Sequence, residues 1–409
     1  MEKEIGNRKG FLKKVLVMLG MILFVGVIQE SKVYAENSDP NIFVHGLTGF
    51  GEGELGPKLY YWGGSTQNII GDLSKKGYTS MEAVVSPFGS NWDRAIELYY
   101  YIKGGTVDYG AAHAAKHGHD RYGRTFPSLY PQWDENNKVH LIGHSQGGMT
   151  SRMLDTLIRE GSEEERAYAL ANGIELSDIF SGNRASWIRS ITAIATPHNG
   201  TQVAALAKNL LHDIIYGSAF IANSSTVNLR YDFKLDQWGL RQAAGESNKN
   251  YLKRVFNSSV WKANEDIVLY DLTTEGAGKL NEQTSLSDEV YYFSYSGNAT
   301  YKGPFSNNYY PLLSMFPVYS ASATYIGATG GKEWRANDGL VPVISALYPF
   351  GQNNKMADGN LVTGAWYVEP TIKGWEHMDF VGQDYIQAPA LKGKVQKFYQ
   401  NIAERNRSL

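Results

Sequence analysis

Val139-His-Leu-Ile-Gly-His-Ser-Gln-Gly-Gly148 runs an apolar strand straight into a Gly-x-Ser-x-Gly turn centred on Ser145. That order of elements is the nucleophile elbow of serine hydrolases, in which a tight strand-to-helix turn lifts a weakly nucleophilic hydroxyl clear of the backbone. Gly143 and Gly147 leave room for the turn to close. The chain holds 43 glycines, so a bare five-residue match arises by chance. The strand in front of it gives this one its weight.

Outward from the elbow, strand-like and helix-like stretches alternate. Asn41–Val44, Tyr78–Val85, Trp187–Ala195 and Val290–Tyr295 read as strands. Asn91–Ile102, Gly147–Arg159 and Leu391–Ala403 carry apolar residues at helical spacing. Alternation of this kind predicts an α/β fold with a mostly parallel central sheet. No internal repeat is present, and residues 36–409 read as one domain with insertions.

The first 35 residues stand apart. Lys3, Arg8, Lys9, Lys13 and Lys14 precede an apolar run from Val15 to Ile28, and Val33-Tyr34-Ala35 offers small residues where a signal peptidase reads. The run is shorter than the roughly 20 residues a spanning helix needs. A secretory signal peptide cleaved after Ala35 is expected, hence an extracellular protein with no stable membrane anchor. The chain carries 39 Lys and Arg against 41 Asp and Glu, and loss of the basic leader leaves it mildly acidic. Nucleic-acid binding would call for a basic face, and none is indicated. There is no cysteine, so an exported chain of this kind must find its cross-links elsewhere, and bound metal is the obvious candidate.

In an elbow hydrolase the acid and then the histidine follow the nucleophile along the chain. Asp338, in Ala-Asn-Asp-Gly-Leu-Val-Pro, and His377, in Gly-Trp-Glu-His-Met-Asp-Phe, answer that description. His198 and His212 are the other downstream histidines, and the Pro197 turn disfavours His198. The expected oxyanion donors are the backbone N–H groups of Gln146, after the nucleophile, and Leu47, in the loop following the first strand.

Several long motifs resemble the secreted bacterial triacylglycerol lipases of the staphylococcal and thermophilic Geobacillus type. They are Tyr61-Trp-Gly-Gly64, Ser90-Asn-Trp-Asp-Arg94, the run Gly105–His119, Gly143–Gly148, Ala195-Thr-Pro-His198, Tyr231–Gly239 and Asn337-Asp-Gly339. The resemblance spans nearly all of the chain after the leader. It implies the α/β-hydrolase fold with a helical lid and a metal-binding insertion near residues 90–125, a triad of Ser145, Asp338 and His377, and the oxyanion donors Leu47 and Gln146. Leu47 stands where many relatives have Phe, which leaves the acyl chain-length preference open. Staphylococcal members carry a polar pro-segment, whereas here a strand follows the leader almost at once, so no maturation protease is expected.

Asp93, His113, His117, His119 and Asp120 crowd together in the insertion. Two imidazoles and two carboxylates can close a tetrahedral zinc shell. His113 and His117 share a helix face at i, i+4, and spacing alone does not choose between the histidines. The resemblance selects Asp93, His113, His119 and the distant Asp236 for structural Zn2+. It also implies structural Ca2+ held by Asp379 and Asp384, whose carboxylates would fix the loop behind His377.

An enzyme of this kind meets its lipid substrate at an oil–water interface, so an apolar cover is expected. Gln202–Phe220, with Val203, Leu206, Leu210, Leu211, Ile214 and Ile215 at helical spacing, is the candidate lid, extending to about residue 225. Tyr309–Tyr325 is a candidate second flap. The same triad also suits a phospholipase or a short-chain carboxylesterase, since fold and triad do not set the substrate. A catalytically silent surface-binding protein on this scaffold is the reading from another class, and the intact triad argues against it.

Overall fold

The computed structural model describes residues 36–206, 231–263, 265–357, 359–383 and 388–409. Seven strands form the central sheet: β1 (Asn41–Val44), β2 (Ser80–Ala83), β5 (Val139–His144), β6 (Ile188–Ile194), β7 (Tyr291–Tyr295), β11 (Asn354–Met356) and β12 (Trp366–Val368). Their order is β11-β12-β7-β6-β5-β1-β2, and every pairing is parallel. β1 and β5 lie inside the sheet and are buried along their whole length, which is why both read as apolar runs without alternation. The expected strands are all present within one or two residues of their ends, and the parallel sheet is that of an α/β-hydrolase-like fold.

Helices cover the faces. The three that matter here are α1 (Asn91–Lys103), α3 (Gln146–Glu160) and α5 (Ala388–Arg407), with the shorter α2 (Ala111–His117) between the first two in sequence. Ser90 caps α1 by accepting from the Asp93 N–H, satisfying one of the donors a helix start leaves open. Small antiparallel pairs decorate the sheet: β3 (Gly105–Asp108) with β4 (Tyr122–Phe126), and β9 (Thr300–Lys302) with β10 (Tyr309–Pro311). A two-residue parallel pair, β8 (Gly297–Asn298) with β13 (Ile372–Lys373), lies beyond β7. A further helix, α4 (Pro317–Ala328), follows β10.

Residues 37–407 form one compact unit. Its two ends are tied together: Asn37 N–H donates to the Arg407 carbonyl at 2.9 Å, and the Asn406 side chain donates to Asn41 Oδ1 at 2.8 Å. Both ends therefore sit at the start of β1. The loops leaving β1, β5 and β12 emerge at the opposite, C-terminal edge of the sheet, where open α/β sheets place their ligand crevices.

Of the candidate lid, only Gln202–Leu206 lies among the described residues, and it is helical. The rest of that stretch, His212, Asp384 and the leader lie outside them.

Candidate active site

Ser145 sits between β5 and α3 with φ 55° and ψ −128°. A non-glycine residue with positive φ carries strain, and here it turns the hydroxyl out of the strand line. The turn closes because Gly143 and Gly147 lack side chains. A Cβ on Gly143 would lie 2.4 Å from the Gly147 carbonyl carbon, and one on Gly147 would lie 2.0 Å from the Val44 oxygen.

His377 and Asp338 meet as expected from their order in the chain. His377 Nδ1 lies 2.8 Å from Asp338 Oδ2, and the His377 N–H donates to the Asp338 carbonyl at 2.9 Å. The other carboxylate oxygen accepts from the Leu340 and Val341 N–H groups at 3.0 and 2.7 Å. Facing that carboxylate, Nδ1 carries the proton of the imidazole, which leaves Nε2 with its lone pair. Ser145 and His377 open onto one pocket, walled by Leu47, Val203, Leu272, Tyr319 and Val341. Among the described residues, neither the Leu47 nor the Gln146 N–H meets a protein acceptor, as two donors reserved for an oxyanion require. His198 is fully buried against Trp366 and takes no part.

Three residues that sequence reasoning did not single out brace this arrangement. Burial holds the His144 pKa well below 6.5, so its imidazole is neutral. Its Nε2 faces the His377 carbonyl at 3.0 Å, which can only accept, so Nε2 carries the proton and Nδ1 accepts from the Tyr61 hydroxyl at 2.8 Å. Tyr61 in turn accepts from the Gly46 N–H at 2.9 Å. The histidine loop and the loop carrying Leu47 are thereby joined through one buried chain. Arg94, fully buried on α1, donates to the carbonyls of His45 and Ser86, each at 2.5 Å, and to Thr150 Oγ1 at 2.9 Å. The only sequence signal for these residues was membership of the Tyr61–Gly64, Ser90–Arg94 and Gly143–Gly148 motifs.

A second cluster forms on the other side of α1. Asp93, His113, His119 and Asp266 bring one ligand atom each within 4.8 Å of one another. His113 Nε2 lies 3.3 Å from Asp93 Oδ1 and 3.2 Å from Asp266 Oδ1, and His119 Nε2 lies 3.3 Å from Asp266 Oδ2. Burial and the neighbouring Asp266 raise the Asp93 pKa. Burial alone would lower the His113 pKa, but the facing carboxylates of Asp266 and Asp93 outweigh it and push it up to about 10. Two buried carboxylates this close need positive charge between them. Asp93 Oδ1, His113 Nε2 and His119 Nε2 are buried without a hydrogen-bond partner among the described residues. The imidazoles are oriented from behind: His119 Nδ1 faces the Asp120 carbonyl at 2.8 Å, and Trp92 stacks on His113. The set fits a four-coordinate metal ion.

The expected ligand Asp236 is corrected to Asp266. Asp236 faces away from the cluster and pairs with Arg124 at 2.8 Å and Arg241 at 3.3 Å. The short helix Asp236–Trp238 turns its next two residues inward instead: Gln237 donates to Asp93 Oδ2 at 2.6 Å, and Trp238 packs on His119. Asp266 is delivered by an antiparallel bridge between Gly89 and Ile267, beside the cap of α1. His117 packs its ring 4.5 Å from that of His113 but supplies no ligand atom to the set.

Of the two expected calcium ligands, Asp379 is fully buried two residues after His377, and its Oδ2 accepts from the Glu376 N–H at 2.8 Å.

Residues 37–407 match the family model described as "Lipase-like, C-terminal domain". The chain is 46% identical over 373 residues to Lipase 1 of Staphylococcus aureus, covering 90% of this chain and 54% of that protein. It thus spans about half the length of the curated relatives it matches. The crystal structure of Staphylococcus hyicus lipase superposes with a TM-score of 0.81 at 40% identity, covering 93% of this chain and 98% of that one. EstA from Clostridium botulinum gives 0.84 at 38% identity, covering 93% and 90%.

Proposed function

The chain belongs to the lipase family matched over residues 37–407, and on that premise we propose that it is a secreted triacylglycerol lipase acting through Ser145, His377 and Asp338. The observation that carries the reading is the His377–Asp338 pair facing, across one apolar pocket, a serine held at positive φ.

Ser145 Oγ adds to the ester carbonyl carbon while His377 Nε2 takes the hydroxyl proton. The carbonyl electron pair moves to oxygen, where the Leu47 and Gln146 N–H groups stabilise the charge. The carbon–alkoxy bond then breaks, and His377 returns the proton to the departing glycerol oxygen. Water repeats the sequence on the acyl-enzyme, releasing the fatty acid and restoring Ser145. Asp338 orients the ring through Nδ1 and steadies the imidazolium.

Asp93, His113, His119 and Asp266 would hold structural zinc. A shell closed by four protein ligands leaves no open position for water, so the ion supplies a cross-link in a chain without cysteine. Asp379 with Asp384 would hold calcium through hard oxygen ligands and stiffen the loop behind His377. The apolar stretch beginning at Gln202 is proposed as the lid. Secretion rests on the leader of residues 1–35, and no helix among the described residues is long and apolar enough to cross a membrane.

The test compares the mature protein with Ser145→Ala on emulsified long-chain triacylglycerol and on a soluble short-chain ester, with calcium present. Triglyceride turnover by the parent and loss of both activities in the variant is the expected result. Turnover of the short ester alone would make the protein a carboxylesterase, and full activity in the variant would overturn the assignment of the elbow.

A further inference from the structure

Between Glu289 and Lys332 the chain carries a single charged residue, Lys302, although charged residues make up 20% of the whole. The first part of that stretch is the buried strand β7, whose apolar character needs no explanation. The remainder is at the surface. Phe305, at the tip of the β9–β10 hairpin, is 100% exposed, and Leu313, just past β10, is 106% exposed. Tyr301 and Tyr310 face each other across the hairpin with ring centroids 6.0 Å apart, both in solvent, and Val318 follows at the start of α4. Single exposed apolar residues are ordinary. Five within one nearly uncharged segment mark an interaction surface.

The segment is also hydrogen-bonded to the catalytic loops. The Leu312 N–H donates to the Ala299 carbonyl, and the Ala299 N–H donates to the carbonyl of Asn337, the neighbour of Asp338. The Phe316 N–H donates to the carboxylate of Glu376, the neighbour of His377, at 2.6 Å. The Ser322 hydroxyl donates to the Gly339 carbonyl at 2.6 Å. Ala299, Met315 and Ala323 form a small core of their own beneath the hairpin, with Tyr319 packed against them. Helix α4 presses so closely on β10 that a Cβ at Gly327 would lie 2.0 Å from the Tyr309 oxygen. Tyr319, one residue past Val318, lines the pocket of Ser145. The apolar surface is therefore continuous with the mouth of the pocket and tied to the loops that carry Asp338 and His377.

We propose that the β9–β10 hairpin and the turn at residues 312–318 form a fixed contact with a lipid surface, seating the pocket mouth on the insoluble substrate. The contact is separate from the stretch beginning at Gln202, and the proposal rests on the lipase reading above. Its occupant is a fluid apolar surface rather than a protein. Phe305 and Leu313 stand fully exposed at loop tips, which suits insertion among acyl chains, whereas a protein partner requires matching shape over a broad area. The one cation, Lys302, lies across the hairpin from Tyr309, where a long side chain can reach the polar boundary of such a surface.

The double substitution Phe305→Ser with Leu313→Ser, made in the mature chain, tests the proposal. Binding is read by co-flotation with triolein droplets in a Ser145→Ala background, so that no turnover is needed. Each side chain should contribute about tenfold to partitioning, and the pair should weaken binding by roughly tenfold to a hundredfold. In the Ser145 background the rate on a soluble short-chain ester should stay within twofold of the parent, which shows that the fold and pocket are intact. Phe305→Trp should keep droplet binding. Flotation within twofold of the parent for the double variant overturns the proposal, as does its conversion of a dimeric parent to a monomer with droplet binding unchanged. A Ser145-containing protein that floats with droplets yet hydrolyses no ester would sink the lipase reading and leave this surface standing.

Discussion

Arg94→Met should damage turnover far more than it damages stability. The guanidinium is fully buried and binds the carbonyls of His45 and Ser86 and the hydroxyl of Thr150. Methionine nearly fills the volume but strips both carbonyls of their donor, at about 1–3 kcal/mol for each buried acceptor. Part of that loss is offset, because desolvation has pushed the Arg94 pKa down to about 10, a strain of roughly 3 kcal/mol on the charged form that the variant no longer bears. The net change is then between about −1 and 3 kcal/mol. Unfolding entropy in a domain of this size limits the fall in Tm to about 4 °C at most. The functional effect follows from position. His45 lies two residues before Leu47, and once its carbonyl is unpinned the Leu47 N–H no longer points where the oxyanion forms. Loss of one such donor costs about 10²–10³ in kcat. Steady-state kinetics on a soluble short-chain ester should show kcat down by that factor with KM little changed, alongside a small calorimetric shift. Arg94→Lys should fall between the two, since an ammonium cannot reproduce the fork. A folded Arg94→Met protein with kcat within threefold of the parent would refute the reasoning.

A zinc-selective chelator, with calcium in excess, should lower Tm by about 5 °C at metal near a thousandfold its Kd while leaving the initial rate at low temperature unchanged. Asp266→Asn should abolish that response and Asp236→Asn should keep it, and the reverse pattern in calorimetry would return the ligand role to Asp236. Asp338→Asn should lower kcat by about 10⁴ through loss of the correct imidazole tautomer, and a loss under tenfold would exclude Asp338 from the triad. His140 is fully buried, and desolvation with nearby Arg189 and Arg405 holds its pKa well below 6.5. The unfolded chain thus takes up the proton first as pH falls, so this contribution is full above pH 6.5 and is lost below it, by roughly 1 kcal/mol between pH 6.5 and 5.5. Urea unfolding should show the gap between the parent and His140→Gln narrowing by that amount over this range. A gap independent of pH would mean that His140 is not held neutral.

The elbow was legible because its chemistry is local: the spacing of Gly143, Ser145 and Gly147 is set by sterics within a few residues. Asp338 and His377 were legible through chain order, which the parallel sheet imposes on loops that must converge at one edge. Asp266 was not. Its flanks, Glu265 and Ile267, hold no other ligand, and it reaches the cluster through a long-range bridge to Gly89 that no periodicity announces. Asp236 attracted the assignment because it sits in a conspicuous run. That run does serve the cluster, but through an amide and an indole, which metal-ligand chemistry does not look for. The network of Tyr61, His144 and Arg94 has the same character, since buried polar groups acquire meaning only when their acceptors are known.

The hydrogen bonds that bring Asn37 and Asn41 against Asn406 and Arg407 have a practical consequence for anyone attaching something to this molecule. Both ends of the compact unit leave from one pole, beneath the strand starts, while the pocket and the apolar hairpin belong to the other. A tether, label or support joined at either end would hold the protein with its working edge turned outward. A short linker between the two ends would also leave the fold unstrained, so the chain is a ready subject for circular permutation, with new termini to be opened in any exposed loop that carries none of the groups described above.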